Sequence, residues 1–306
     1  MSSPALSPAL SVVVSAYNSQ RYLREAVESI LNQTFRDFEL ILIDDGSRDD
    51  TLQIAREFEA RDNRVRLITR PNKGLTPSLN EGIDLARAPI IARMDADDVC
   101  MPDRFELQMK FLAENPDVVL LGAQVELVDP YGVHIGDCEY PPDHDAINAR
   151  LIGGDGGVMP HPVVMYRTDA VRKLGGYRVK FNNSSEDLDL WLRLSEVGRV
   201  ANIPKILLKY RRDLGSISHK SNSVQVKHKP QIIAEAYERR GLPKPAEWKF
   251  TPWTPKSHDV QLKEWGWKAL RVGRLDAARG HAKALLKLKP TSFSSWKLAY
   301  CAWRGR

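Results

Sequence analysis

Apolar strand runs and helical segments alternate along the first 125 residues, and this order limits the fold strongly. The strand runs are LSVVVSA, FELILID, VRLIT and PIIARM, at residues 10–16, 38–44, 65–69 and 89–94. Between them, QRYLREAVESILNQ, DDTLQIAREFEA and TPSLNEGIDLARA show apolar spacing or terminal residues typical of helices, with Thr76 predicted as an N-cap. Strand–helix alternation predicts an α/β fold with a parallel sheet covered by helices on both faces.

Polar residues follow each of the four predicted strands. Tyr17 and Asn18 follow the first strand, DDGS (44–47) ends the second, NKG (72–74) follows the third, and DAD (95–97) ends the fourth. Ligands of open α/β sheets bind beyond the carboxyl ends of the strands. The sequence therefore predicts that these groups converge on one binding crevice.

The segment ARMDADD places three carboxylates within four residues: Asp95, Asp97 and Asp98. Residues at i and i+2 of a strand end point to the same side of the chain. Two hard oxygen ligands on one side suit Mn²⁺ or Mg²⁺, which take further ligands from water and substrate phosphates. The alternative is an acidic cluster that caps the following helix, RFELQMKFLAEN, together with Asp103.

A second acidic group lies at the start of a predicted helix, SSEDLDLWLRLSEVG, with Ser184 or Ser185 as its cap. On the residues alone, Glu186 and Asp187 are interpreted as acidic groups that favour the helix dipole at its N-terminus.

Charge divides the chain into two parts of opposite sign. From Lys209 onward there are 22 Lys and Arg against 7 Asp and Glu, whereas residues 1–208 carry 23 against 32. Six of the seven tryptophans lie in this basic tail. The tail is interpreted either as a solvated basic surface or as a region attracted to an anionic membrane surface or a protein partner. No nucleic-acid recognition motif is present, and nucleic acid is not an expected partner.

The chain has no apolar run of the length that spans a membrane. Its three cysteines are scattered, which fits a reducing compartment. Residues 1–9 are predicted to be a disordered lead. These features predict a cytoplasmic protein, with peripheral attachment at the inner face of the plasma membrane as a further option through the tail.

The tail from residue 221 is predicted to be helical, and residues 259–303 resemble a tetratricopeptide-like repeat. Gly266, Ala278 and Pro290 fall where such a repeat has two small residues and a helix stop. Gly273 marks the turn between the two helices. One repeat cannot bury its own apolar face, so we expect this region to pack on further structure.

The motifs together resemble the family-2 glycosyltransferases of the GT-A fold. The matching text comprises SVVVSAYNSQRYLREAVESILNQTFRDFELILIDDGSRDDT, NKGLTPSLNEGIDLARAPIIARMDADD, HPVVMYR, GGY and SEDLDLWLRL. The resemblance implies a Rossmann-like GT-A domain over residues 10–220, with a mixed, mainly parallel sheet. Its nucleotide-binding half would cover residues 10–100 and its acceptor half residues 101–220, before the helical region 221–306.

The resemblance implies an inverting, metal-dependent transfer of a sugar from a nucleoside diphosphate to an acceptor hydroxyl. Asp97 would be the main metal ligand, Asp95 would lie against the ribose and the metal, and Asp187 would be the general base. The other residues implied on the donor side are Ser15, Tyr17, Asn18, Asp44, Asp45, Lys73, Arg93 and Arg211.

Within that set, Asp45 would accept a hydrogen bond from the nucleobase, which favours a UDP-sugar, and Tyr17 would pack against the base. His161 is predicted to be a structural hydrogen-bonding residue on the acceptor side, where Glu186 also lies. The family commonly has a histidine two residues after the position of Arg211, whereas this chain has Asp213. His219 is the only substitute that the sequence suggests.

The acceptor implied by the resemblance is a glycan or a lipid-linked molecule in polysaccharide, lipopolysaccharide or glycolipid synthesis. Two alternatives come from other classes of protein. A nucleotidyltransferase that makes sugar nucleotides would share the sheet, but the chain has no glycine-rich basic loop after its first strand. A non-catalytic scaffold would act through the helical tail, but Asp45, Asp95, Asp97 and Asp187 are all in place.

Overall fold

The computed structural model of the chain describes residues 7–182, 185–214, 222–243 and 256–305. The chain forms two compact units. The larger unit comprises residues 1–125, 138–210 and 223–251, and the smaller unit comprises residues 126–137, 211–222 and 252–306. This division differs from the single boundary expected at residue 220, so the domain limits stay a prediction. Most of the predicted disordered lead, His219 and Ser184 lie outside the described residues.

The described strands form one mixed sheet with the order β3-β2-β1-β4-β8-β6-β9-β5, and β7 pairs with β6. Their bounds are β1 (Leu10–Ala16), β2 (Phe38–Asp44), β3 (Val65–Thr69), β4 (Ile90–Asp95), β5 (Val99–Cys100), β6 (Val118–Val128), β7 (His134–Cys138), β8 (Met165–Arg167) and β9 (Arg199–Arg211). The pairs β3-β2, β2-β1 and β1-β4 are parallel, whereas β8 runs antiparallel to β4 and β6. The predicted mixed, mainly parallel α/β sheet is confirmed.

The parallel strands read as continuous apolar runs because helices cover both faces of such a sheet. All seven residues of β2 are buried, including Glu39. Its carboxylate accepts hydrogen bonds from Ser11 Oγ at 2.7 Å and from Arg87 Nε at 2.8 Å. Burial alone would raise the pKa of Glu39, but these bonds and the charge of Arg87 lower it. A charged residue is thereby accommodated inside the sheet.

Helices connect and cover the strands. In the described residues up to 243, the α-helices are α1 (Leu23–Leu31), α2 (Thr51–Arg61), α3 (Leu75–Leu85), α4 (Arg104–Glu114), α5 (His144–Ile152), α6 (Thr168–Lys173), α7 (Glu186–Leu194) and α8 (Asn222–Arg239). The prediction of Thr76 as the N-cap of α3 is wrong. The cap is Gly74, whose φ of 94° lies in the left-handed region that glycine adopts without strain, and Thr76 is buried inside the helix.

Strand register brings the predicted functional positions to one edge of the sheet. Ser15 of β1 lies opposite Asp95 of β4, and Ala16 lies opposite Asp44 of β2. Asp44 in turn lies opposite Thr69 of β3. Because these strands are parallel, their carboxyl ends and the loops that follow them lie on the same side. This arrangement positions the candidate site.

The smaller unit contains α9 (His258–Arg271), α10 (Leu275–Leu288) and α11 (Phe293–Arg304). Gly273, with φ of 76°, forms the turn between α9 and α10 as predicted. Buried small and apolar residues hold the three helices together, among them Leu262, Ala278 and Leu298. The assignment to a tetratricopeptide-like class stays a prediction.

A buried hydrogen bond connects distant segments of the smaller unit. Asp129 Oδ2 lies 2.6 Å from His281 Nε2, and both side chains are excluded from solvent. The ring of Tyr131 packs edge-on against His281 with centroids 4.9 Å apart. Within the described residues, no helix is both long enough and apolar enough to cross a membrane.

Candidate active site

Three carboxylates converge at the carboxyl end of β4. One oxygen each from Asp95, Asp97 and Asp98 lies within 4.8 Å of the others. The strand β5 separates this cluster from α4, whose N-cap is Asp103. Asp103 itself pairs with Lys205 at 2.5 Å. Asp103 thus takes the capping position, as the capping alternative has it, and the role of Asp97 and Asp98 stays a prediction. Hard oxygen donors at this separation suit a divalent cation after small side-chain rotations.

Arg93 supplies the cation that the structure places among these acids. Its Nη2 lies 2.5 Å from Asp95 Oδ1 and its Nη1 lies 2.7 Å from Asp95 Oδ2. Burial alone would lower the pKa of the guanidinium, but the charges of Asp95 and Asp98 keep it raised. Its carbonyl oxygen accepts a hydrogen bond from Arg104 Nη2 at 2.9 Å. Arg93 is therefore a fixed, permanently charged part of the site.

Asp187 is the second acidic element of the site. It lies in the first turn of α7 and is partly exposed, and its Oδ1 accepts a hydrogen bond from the Leu188 N–H at 2.7 Å. Burial raises the pKa of this carboxyl, while Arg93 and Lys229 oppose that shift. The charge of Arg93, which pairs with Asp95, thus also lowers the pKa of Asp187. The roles of Asp187 as base and of Asp95 and Asp97 as metal ligands stay predictions.

The neighbouring Asp189 has a different function. It is fully buried, and its carboxylate pairs with Arg193 Nη2 at 2.8 Å and with Arg178. Two guanidinium groups thus hold Asp189 in the interior of the larger unit. Of the two aspartates in SEDLD, Asp187 is the one that is not occupied by arginines.

Asp45 is held in place by the loop that follows β3. Its carboxylate accepts hydrogen bonds from the N–H groups of Lys73 at 2.8 Å and Gly74 at 2.9 Å, and it pairs with Arg70. Arg70 also binds Glu81 at 2.6 Å. The buried carboxylate of Asp45 thus accepts from three donors. A contact with a nucleobase would use the remaining lone pairs of its oxygens, and this contact stays a prediction.

Arg70 is a residue that sequence reasoning missed. It directly follows β3, at the same sheet edge as the other site residues, and this position was the available signal. Tyr177 was missed as well, because only the tertiary structure brings it to His161. Tyr177 Oη lies 2.8 Å from His161 Nε2, and the histidine ring also packs edge-on against Trp191.

His161 has the surroundings of a structural residue, as the sequence predicts. Burial and the nearby charge of Arg93 lower its pKa well below the usual histidine range. The imidazole is therefore neutral near pH 7 and unsuited to carry positive charge toward a phosphate. Its assignment to the acceptor side stays a prediction, as does that of Glu186, which is buried as the first residue of α7.

The loop after β1 presents the remaining predicted donor residues. Asn18 adopts φ of 50°, a conformation that asparagine tolerates. Its Oδ1 accepts from the Arg48 N–H at 2.9 Å, and its own N–H donates to Ser47 Oγ at 3.0 Å. The Tyr17 side chain is 45% exposed and lies next to this fixed turn. An exposed aromatic ring on a rigid turn is suited to stacking.

Asp44 and Arg211 occupy different parts of the structure. Asp44 is buried and accepts from the Ser47 N–H at 3.3 Å and from Thr69 Oγ1 at 3.2 Å, which fixes the strand end. Lys73 is exposed beside Asp45. Arg211 belongs to the smaller unit, where its Nη1 donates to the Asp129 carbonyl at 3.3 Å. The predicted role of Arg211 toward the donor stays a prediction.

Comparison with known proteins matches residues 11–175 to the model of glycosyl transferase family 2. The O-antigen biosynthesis glycosyltransferase WbnJ of Escherichia coli is 36% identical over 208 residues, which cover 66% of this chain and 79% of WbnJ. The fold resembles S. aureus TarS 1–349 solved with UDP-GlcNAc, at 20% identity and a TM-score of 0.59 over 96% of this chain and 89% of that one.

A second solved structure has the same fold. It is the mannosyltransferase PcManGT from Pyrobaculum calidifontis, in complex with GDP-Man and Mn²⁺. The likeness has a TM-score of 0.58 at 17% sequence identity and covers 98% of this chain and 81% of that one. The sheet and its flanking helices are therefore an arrangement that experimental structures also contain.

Proposed function

The chain belongs to the family-2 glycosyltransferases, and we propose that it transfers a sugar with inversion from a nucleoside diphosphate to an acceptor hydroxyl. The proposed donor is a UDP-sugar and the proposed pathway is the synthesis of a polysaccharide or related glycan. The O-antigen function in the name of WbnJ supports the glycan class, and the UDP-GlcNAc in the TarS structure supports the donor class.

One observation carries the proposal: carboxylate oxygens of Asp95, Asp97 and Asp98 lie within 4.8 Å of one another at the carboxyl end of β4, and Arg93 pairs with Asp95. A transferase that inverts configuration needs a leaving-group site and a base on opposite sides of the reacting carbon. Asp95 and Asp97 come from β4, and Asp187 comes from α7 about 90 residues later in the chain. Groups from two separate segments can act on opposite faces of one sugar.

The carboxylates of Asp97, Asp95 and Asp98 are the proposed site for Mn²⁺ or Mg²⁺. Their oxygens fit the preference of these ions for hard ligands, and the Mn²⁺ of the PcManGT complex supports a divalent cation. When bound, such an ion stabilises negative charge on a leaving diphosphate. Arg93 fixes the orientation of Asp95 through two hydrogen-bonded contacts.

Asp187 is the proposed general base. Burial raises its pKa toward the range in which a carboxylate is a better proton acceptor. The Leu188 N–H donates to Oδ1 of this carboxylate, and the proposed acceptor of the hydroxyl proton is Oδ2. His161, which is hydrogen-bonded to Tyr177, is proposed as a structural residue on the acceptor side.

Calorimetric titration with UDP, GDP, TDP and CDP, each with and without Mn²⁺, tests the donor part of this proposal. We expect UDP to bind most tightly and to require the metal. Incubation with UDP-sugars and nuclear magnetic resonance of the product then tests inversion through the anomeric configuration. Metal-independent binding of all four nucleotides with equal affinity would contradict the proposed site.

A further inference from the structure

The last helix of the smaller unit carries a row of solvent-exposed aromatic side chains. Phe293, Trp296, Tyr300 and Trp303 are 83%, 59%, 64% and 58% exposed. Their spacing of three, four and three residues places all four on one side of α11. We call these four residues the aromatic stripe.

The aromatic stripe is separate from the face that anchors α11. Ser295, Leu298, Ala299 and Ala302 are buried, and the three apolar ones belong to the core of the smaller unit. The helix is therefore fixed by small and aliphatic residues, and the aromatic rings are not needed for this packing. Exposed side chains of this size present roughly 500 Å² together, which is as large as the biggest apolar patch of an ordinary monomer.

Basic residues accompany the aromatic stripe. Lys297 and Arg304 are exposed on the same helix, and the Arg304 guanidinium lies 5.7 Å from the centre of the Tyr300 ring. Residues 256–305 contain 11 Lys and Arg but only 3 Asp and Glu. All three acids, Asp259, Glu264 and Asp276, already pair with a basic residue. The region therefore keeps a large excess of positive charge.

We propose that the aromatic stripe docks α11 onto an anionic phospholipid bilayer, with the helix lying in the plane of the membrane surface. Trp and Tyr favour the interface because their rings are apolar and their N–H and O–H groups remain hydrated. Lys297 and Arg304 are placed to contact lipid phosphates. The Trp296 indole N–H already donates to the Pro290 carbonyl at 2.7 Å, which fixes that ring in its outward position.

The charge around the stripe favours an anionic surface over a second copy of this chain. Two copies of residues 256–305 would bring the same excess of Lys and Arg against each other. Bulky aromatic side chains beside basic residues are the pattern of interfacial helices. Docking does not depend on the donor chemistry, so its test is independent of glycosyl transfer.

Co-sedimentation of the full chain with vesicles tests the proposal. Vesicles of phosphatidylcholine with 30% phosphatidylglycerol, about one anionic lipid in three, provide a surface potential that attracts basic segments. We expect binding to these vesicles and at least about tenfold weaker binding to pure phosphatidylcholine. The double variant Phe293→Ser/Trp303→Ser should lose at least about tenfold in partitioning, since neither side chain makes a polar contact that the structure describes.

The matched control is Val272→Ser, which removes an apolar side chain of similar exposure, 58%, from the turn between α9 and α10. It should leave vesicle binding unchanged. Circular dichroism and UDP binding verify that each variant is folded. The proposal is overturned if the wild-type chain ignores anionic vesicles, or if the double variant binds as well as the wild type. It is also overturned if the wild-type chain is a dimer in sedimentation velocity and the only effect of the double variant is to make it a monomer. The aromatic stripe would then join two copies of the chain.

Discussion

Arg93 holds both carboxylate oxygens of Asp95 from two residues earlier on the same strand, at 2.5 and 2.7 Å. Alternate residues of a strand point to the same face, so β4 alone creates this pair. Arg93 is buried, whereas the Asp95 side chain is 29% exposed. Asp95 therefore presents a carboxylate whose charge is already partly compensated, and we expect Asp97 to contribute more to binding of a divalent cation.

The first prediction concerns Asp97→Asn. The substitution should lower the affinity for Mn²⁺ plus UDP by at least about tenfold, because it removes a charged ligand from the cluster. Calorimetric titration at fixed Mn²⁺ measures the effect. Asp103→Asn is the control, because it changes the same charge in the nearby N-cap of α4 and should leave the affinity intact. Equal losses in both variants would show that general charge, and not the cluster, determines binding.

The second prediction concerns the base. Asp187→Asn should lower kcat by about 10²- to 10⁴-fold, the usual contribution of a positioned proton acceptor. UDP affinity should change by less than about twofold, because Asp187 comes from α7 and not from the strand ends proposed to bind the donor. Initial rates with a UDP-sugar and calorimetry on the same preparation separate the two effects. Full activity in the variant would exclude Asp187 as the base.

The third prediction concerns pH. Burial raises the pKa of Asp187 above the ordinary aspartate value of 3.8. The working form is deprotonated, so kcat/KM should fall as the pH falls through this raised pKa. Arg93 stabilises the charged form, and Arg93→Met should therefore move the acid limb to still higher pH. A pH–rate profile of both proteins, with Asp187→Asn as a reference without the limb, measures the shift. An unchanged limb in Arg93→Met would disprove the coupling.

The fourth prediction concerns stability. The Arg70 and Asp45 side chains are only 9% and 3% exposed. Arg70→Met leaves the Asp45 carboxylate buried without its cation, which should lower the free energy of unfolding by about 3 kcal/mol. Urea denaturation followed by circular dichroism measures this change. Arg24→Met is the matched control, since its pair with Glu57 is solvent-exposed and its loss should have little effect.

Much of the larger unit could be predicted from the sequence because its strands are continuous apolar runs and its helices have clear periodicity. The four carboxyl ends meet at one sheet edge, as expected for parallel strands. The position of Arg70 against Asp45 and that of Tyr177 against His161 could not be predicted, since both depend on tertiary packing. The predicted N-cap of α3, Thr76, was wrong. The N-cap is Gly74, which adopts a positive φ.

The residue limits of the smaller unit could not be predicted from the sequence for a similar reason. Residues 126–137 look like a strand and turn of the preceding domain, but they pack with helices that follow more than 100 residues later. Asp129 meets His281 only in the folded chain. A local sequence pattern does not predict a contact between segments that lie so far apart along the chain.

The pair of Asp129 and His281 has a consequence for how this protein could have evolved. A domain added at the end of a gene is joined to its neighbour by one connection, and recombination can exchange it as a block. Here the chain passes between the two units five times. A relative that acquired only the last helices would lack the acidic partner of His281, and one that lost them would leave Asp129 without its base. Exchange of residues 252–306 alone would therefore separate Asp129 from the His281 with which it is paired here.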